Sequence, residues 1–162
     1  ERLSFPWDGA TAVTTSAIWG VTQVFFVIGL LTFVRSGAAS SRAGRIGGGV
    51  AVLGAALFVP AHALSVVGRD ALMDDTVAVV VVALFAGGTV LQALGLLVCG
   101  VATLRAGVRS GWARWTPLAV AVTMVALMGL QFTDLLAVAV GIYAAAVVAL
   151  GLAMIQRGVL RV

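Results

Sequence analysis

Polar side chains inside long apolar segments are the residues of this sequence whose types could do chemistry. Five of them lie within such segments or at their ends: Gln23, His62, Gln92, Gln131 and Asp134. An amide, an imidazole or a carboxylate is costly to bury in a bilayer, so each marks a candidate ligand or proton site. We take these five residues as the candidate site and assign no catalytic residue and no metal site.

Gln23 and Gln92 each lie near the middle of an apolar segment. We predict that the two amides hydrogen-bond to each other or to a backbone carbonyl, which would make them contacts between helices. The alternative is that they line a polar path for a solute, together with His62 and Asp134. Tyr143 also lies deep within a segment, so its hydroxyl requires a protein partner.

His62 follows Pro60 near the end of an apolar segment, in FVPAHALSVV. Proline removes one helical hydrogen bond and clashes with the carbonyl of Ala56, so we predict a kink or an opened turn there. The imidazole could be a proton or ligand site, an axial ligand of a haem or metal whose other ligand comes from a second chain, or a hydrogen-bonded interfacial histidine.

Several cofactors are excluded because a residue type is absent or occurs once. The sequence has no lysine, so it can form neither a retinal nor a pyridoxal Schiff base. Its single histidine cannot supply both ligands of a bis-histidine haem, and its single cysteine, Cys99, cannot hold an iron–sulfur cluster or close an intrachain disulfide. Any such cofactor would need ligands from another chain.

The elements that must position these residues are apolar helices. Hydrophobic residues make up 62% of the 162-residue chain and charged residues only 10%, which indicates an integral membrane protein without a soluble domain. A bilayer crossing needs about 20 residues. We therefore predict an all-α, single-domain bundle of five transmembrane helices, over residues 12–34, 46–67, 77–104, 117–132 and 135–155. The chain begins at Glu1 rather than Met, so we expect that residues preceded it.

Arginines and acidic residues lie on different connecting segments, which alternate along the chain. One set carries only arginine: Arg35, Arg42, Arg45, Arg105, Arg109, Arg114, Arg157 and Arg161. The other set carries only two arginines, Arg2 and Arg69, and holds all the acids: Glu1, Asp8, Asp70, Asp74, Asp75 and Asp134. The positive-inside rule then places the N-terminus outside and the C-terminus in the cytoplasm. Of the outer acids, the four aspartates could form a cation-attracting patch or could simply be solvated.

The amino-acid composition predicts where the protein is found in the cell. All ten basic residues are arginine, and alanine, valine, glycine and leucine dominate, which is typical of a GC-rich bacterial genome. We therefore predict a multi-pass protein of the bacterial inner membrane, in contact with anionic lipid rather than nucleic acid. Trp7, Trp112 and Trp115 are the predicted anchors at the membrane interface.

A weak internal repeat relates the two hairpins that these segments would form. Gln23, Arg35, Arg45 and His62 are followed later by Gln92, Arg105, Arg114 and Gln131 at similar spacing. The fold would then be two parallel-oriented hairpins plus a final helix. The alternative is that any arginine-flanked helical hairpin gives this pattern.

Small residues recur at every fourth position and predict close helix packing. The last segment carries Ala137, Gly141, Ala145, Ala149 and Ala153, and the second carries Gly44 and Gly48. We expect these stripes to face neighbouring helices of the same chain; a homodimer or a partner subunit is the alternative.

Taken together, the sequence favours a non-catalytic subunit or accessory component of a membrane complex. A small transporter or channel is the first alternative, with a polar path lined by Gln23, His62, Gln92 and Asp134. A membrane-anchor subunit with His62 as a haem or metal ligand is the second. Convergence of the polar residues on one cavity would distinguish the transporter from the interaction subunit.

Overall fold

The structure is a computed structural model that describes residues 2–3, 9–37, 40–107, 111–130 and 133–159. Within these residues the chain forms a bundle of α-helices. The helices are α1 (Gly9–Arg35), α2 (Arg42–Val67), α3 (Thr76–Ala106), α4 (Thr116–Leu130) and α5 (Leu136–Val159), with a short 3₁₀ helix over Gly111–Arg114. The prediction of an all-α fold with five helices is confirmed, and no strand forms within the described ranges.

Four of the helices, α1, α2, α3 and α5, are long and apolar enough to cross a membrane. The remaining helix, α4, has only 15 residues. At 1.5 Å per residue its length is about 22 Å, which is less than the hydrocarbon thickness of about 30 Å. The predicted break between the last two segments is present, because α4 ends at Leu130 and α5 begins at Leu136. By length and composition, four of the described helices can therefore span a membrane, one fewer than the five predicted crossings.

Local sequence signals explain where the helices begin and end. Ser41 caps the start of α2, where its Oγ accepts a hydrogen bond from the Gly44 N–H at 3.0 Å. Gly107 ends α3 in the left-handed conformation, with φ of 60°, which glycine adopts without steric cost. Pro60 lies inside α2, which continues unbroken from Arg42 to Val67.

Helices α2 and α3 approach each other backbone to backbone. A Cβ atom on Gly95 would lie 2.6 Å from the carbonyl oxygen of Gly47, and one on Gly54 would lie 2.7 Å from the carbonyl oxygen of Gly88. These four glycines therefore allow α2 and α3 to pack closely, since any side chain would force the backbones apart. Gly48, in contrast, packs against Val34 of α1.

Consecutive helices pack side by side and run antiparallel. Gly20, early in α1, contacts His62, late in α2, whereas Val34 at the end of α1 contacts Gly48 near the start of α2. All five helices contribute to one buried cluster, to which each gives at least one residue: Leu30, Ala55, Leu96, Val120 and Leu150. The N-terminal residues join the α2–α3 connection, since the Leu3 N–H donates to the Ala71 carbonyl at 2.8 Å.

The antiparallel order separates the charges into two ends. We call the end that holds Arg35, Arg42, Arg45 and Arg105 the basic end and the opposite end the acidic end. The described carboxylates all lie at the acidic end: Asp70, Asp74 and Asp75 between α2 and α3, and Asp134 between α4 and α5.

Candidate functional site

Gln92 in α3 is one of two described polar side chains with no exposed surface, the other being Thr103. Its Nε2 donates a hydrogen bond to the hydroxyl oxygen of Tyr143 in α5, at 3.2 Å. Gly54 of α2 lies directly against the backbone of Gln92, which fixes the position of this part of α3. The expectation that the Tyr143 hydroxyl requires a protein partner is confirmed, and that partner is Gln92.

Gln23 in α1 is half-buried, and its Oε1 is buried without a hydrogen-bond partner among the described residues; the Oε1 of Gln92 is in the same situation. An amide nitrogen only donates, so a bond between the two amides would have to use one of these oxygens as acceptor. The predicted direct bond between Gln23 and Gln92 is therefore wrong. Instead, the Gln92 nitrogen donates to the Tyr143 hydroxyl.

A groove of about 290 Å³ runs between α1 and α5, which we call the α1/α5 groove. Gln23 and Tyr143 both line it, so the groove brings two of the buried polar groups together. Gly29 and Gly151 also line it, and the space where each Cβ would lie is open to 4 Å. Phe25 lines the groove and is 69% exposed, so the groove reaches the outer surface of the bundle.

His62 lies elsewhere, in a pocket of about 210 Å³ toward the acidic end. The ring of Phe85 meets the imidazole edge-on, with centroids 4.9 Å apart and planes at 77°. Trp19 and the hydroxyl residues Thr15 and Ser65 also line the pocket. No hydrogen bond to the imidazole forms within the described part of the chain, and the Ser65 hydroxyl donates instead to the Ala61 carbonyl at 2.8 Å.

Asp134 lines neither cavity. Asp134 is exposed in the α4–α5 connection, and Gln131 lies outside the described residues. The structure therefore brings together Gln23, Tyr143 and Gln92 but leaves His62 and Asp134 apart from them. Sequence reasoning singled out both glutamines but did not link Gln92 to Tyr143; the signal was the presence of a single tyrosine deep in an apolar helix.

Two aspartates of the acidic end, Asp70 and Asp75, interact with nearby residues of the same chain. Asp70 lies 3.8 Å from Arg2 and 3.4 Å from Arg69, and Asp75 Oδ2 accepts from the Leu72 N–H at 2.8 Å. Among the described residues, no three His, Cys, Asp or Glu side chains gather closely enough to hold a metal ion.

The small-residue stripe of α5 is divided between surface and core. Ala137, Gly141 and Ala145 are exposed, Ala149 is half-buried and Ala153 is buried. In α2, Gly44 and Gly48 are both buried.

The aromatic residues before α4 lie at the surface near the basic end. Trp112 and Trp115 are about half exposed, at 49% and 50%, and the guanidinium of Arg114 lies 5.4 Å from the Trp115 ring. Trp7, the third predicted anchor, lies outside the described residues.

Comparison of the chain with protein-family models, with curated proteins and with solved structures finds no match.

Proposed function

We propose that this protein is a non-catalytic subunit of a bacterial inner-membrane complex and that a transmembrane helix of a different protein binds in the α1/α5 groove. The observation that carries the proposal is the buried Oε1 of Gln23, which has no hydrogen-bond partner among the described residues. A buried amide oxygen without a partner is unfavourable in hydrocarbon, so a donor from another molecule would stabilise it.

The shape of the groove suits a helix. Gly29 and Gly151 leave open space on its two walls, and glycine lets a neighbouring backbone approach closely where lipid supplies no hydrophobic drive for association. Helix α1, which borders the groove, is also little covered by the rest of the chain: Ile18, Val21 and Ile28 are more than half exposed.

We take the occupant to be a different protein; a second copy of this chain, in which the Gln23 amide nitrogen would be a donor at the same depth, is the alternative that the crosslinking test below distinguishes. Copies inserted in the same orientation hold each residue at the same depth, so the donor would have to lie near the depth of Gln23. The threonines near that depth, Thr22, Thr89 and Thr123, each donate their single hydroxyl proton to a carbonyl of their own helix. A partner helix with its own serine, threonine, asparagine or glutamine would supply the missing donor.

The separation of the polar residues favours this function over a transporter. A solute path would need Gln23, Gln92, His62 and Asp134 around one cavity, and these residues lie in different places. Gln92 is bonded inside the bundle, His62 lines its own pocket, and Asp134 is at the surface.

In the proposed topology the chain crosses the membrane five times, with the N-terminus outside and the C-terminus in the cytoplasm. The support is the sorting of arginines and aspartates to opposite ends of the bundle. The short helix α4 would cross by local thinning of the bilayer, aided by the interfacial Trp112 and Trp115 before it.

The test is site-specific photo-crosslinking in native membranes. A benzophenone amino acid replaces Phe25 at the rim of the groove, and in the control it replaces Leu94, which is 54% exposed on the α3 surface. We expect the Phe25 probe, and not the Leu94 probe, to give one protein adduct, which mass spectrometry identifies as a membrane protein with a polar side chain in its crosslinked helix.

Gln23→Leu is the decisive variant, because it removes the unpartnered amide oxygen and places an apolar side chain of similar size at this position. We expect the adduct to disappear while the purified chain keeps its stability, since the lost amide oxygen had no partner in the chain. An adduct that persists in Gln23→Leu, or one that contains only a second copy of this chain, would overturn the proposal.

A further inference from the structure

A second groove, independent of the proposed partner site, lies against α3 at the basic end. Its volume is about 640 Å³, and we call it the basic-end groove. Leu97, Val98 and Val101 of α3 line its apolar part, while Arg105 and Ser41 are its polar lining residues. From Leu97 to Arg105 the groove follows about 12 Å of α3, from the inner part of the helix to its last turn.

The charges near this groove have one sign. Arg105 lies in the last turn of α3, at the same end as Arg42 and Arg45 of α2. The described carboxylates, Asp70, Asp74, Asp75 and Asp134, all lie at the opposite end of the bundle. The groove therefore combines an apolar wall with a positive charge that no nearby described carboxylate neutralises.

We propose that the basic-end groove binds one anionic phospholipid, with an acyl chain along Val98 and Val101 and the phosphate at Arg105. Guanidinium groups bind phosphate oxygens through charge-assisted hydrogen bonds. The Ser41 hydroxyl adds a second donor, because its Oγ accepts from the Gly44 N–H and no described residue accepts its proton. A free phosphate ion would leave the apolar wall uncovered, so the ligand is a lipid.

Arg35 provides a matched control for the charge. It is exposed at the basic end, in the last turn of α1, and it does not line the groove. Arg35→Gln and Arg105→Gln therefore remove the same charge from the same end of the protein, and only Arg105→Gln removes it from the groove. Val101→Trp tests the apolar wall, because Val101 is 38% exposed and a larger side chain there would fill the groove without entering the core.

The experiment is native mass spectrometry of the detergent-purified chain, titrated with phosphatidylglycerol or phosphatidylcholine. We expect one bound phosphatidylglycerol with about fivefold higher affinity than phosphatidylcholine, the effect of roughly one interfacial arginine. Arg105→Gln should abolish this preference, Arg35→Gln should retain it, and Val101→Trp should weaken binding of both lipids. Circular dichroism of each variant confirms that the helices are retained.

Three results would overturn the proposal. Equal losses in Arg35→Gln and Arg105→Gln would show diffuse attraction to the basic end rather than a site. Full binding by a helical Val101→Trp would show that the acyl chain does not occupy the groove. Displacement of phosphatidylglycerol by glycerol phosphate at millimolar concentration would show that the site recognises a free phosphate.

Discussion

The side-chain nitrogen of Gln92 lies 3.2 Å from the hydroxyl oxygen of Tyr143, and this bond joins α3 to α5 across 51 residues of sequence. Gln92 is held at this place because its backbone packs directly on Gly54 of α2. Tyr143 also lines the α1/α5 groove, so the same residue connects the bundle interior with the proposed partner site. This polar link can be tested separately from any function.

Replacing Tyr143 with phenylalanine should destabilise the bundle by about 1 kcal/mol, because the buried Gln92 amide then loses its hydrogen bond. Adding Gln92→Leu to Tyr143→Phe should recover much of this loss, since no buried amide is left without a partner. Unfolding in mixed SDS micelles measures the free energy of unfolding of both single variants and the double variant. Strictly additive effects would show that the two side chains do not interact.

The glycine contact between α2 and α3 predicts a large difference between similar substitutions. Gly95→Ala should lower the free energy of unfolding by about 1–3 kcal/mol, because the new Cβ would lie 2.6 Å from the Gly47 carbonyl oxygen. Gly87→Ala is the control, since its Cβ position in α3 is open to 4 Å. We expect the control to leave stability unchanged or to raise it by up to about 1 kcal/mol through helix propensity. Equal effects of the two variants, measured by the same unfolding assay, would contradict the observed contact.

The proposed orientation predicts which ends can be labelled from outside. Cys99 is buried, so it gives a low background for single added cysteines. In spheroplasts, a membrane-impermeant maleimide should label Asp74→Cys directly and should label Arg45→Cys only after the membrane is opened. Labelling in the reverse order would show that the N-terminus is cytoplasmic.

The ion pair between Arg2 and Asp70 should contribute little to stability. Their side chains are 68% and 67% exposed and the atoms are 3.8 Å apart, so water screens the attraction. Asp70→Asn should change the free energy of unfolding by less than about 1 kcal/mol. A larger loss, measured as for the other variants, would show that the ion pairs of Asp70 with Arg2 and Arg69 together contribute substantially to stability.

Much of the fold could be predicted because hydropathy and charge are local properties of the sequence. The apolar segments became helices close to the predicted limits, and the break between the last two helices is present. Length was less informative for α4, since its predicted segment of 117–132 is shorter than a typical crossing. The sorting of charge also followed from the order of the segments, because antiparallel neighbours bring alternate connections to the same end.

The candidate site could be predicted only in part. Gln23 and Gln92 are recognisable as buried amides in apolar segments, but their partners are not. The expected bond between them does not form, and the partner of Gln92 comes from α5, far along the chain. The glycines of α3 that pack against α2, Gly88 and Gly95, were likewise not chosen from the sequence.

The sequence alone determined the helical class, the helix limits and the separation of arginine from acidic residues, because each depends on composition over one segment. Only the tertiary structure decided which side of each helix faces its neighbours. In a membrane protein both the lipid-facing and the buried sides of a helix are apolar, so hydrophobic periodicity does not distinguish them. Small residues and buried amides then determine where helices contact each other. Which small residues and amides meet depends on how all five helices pack.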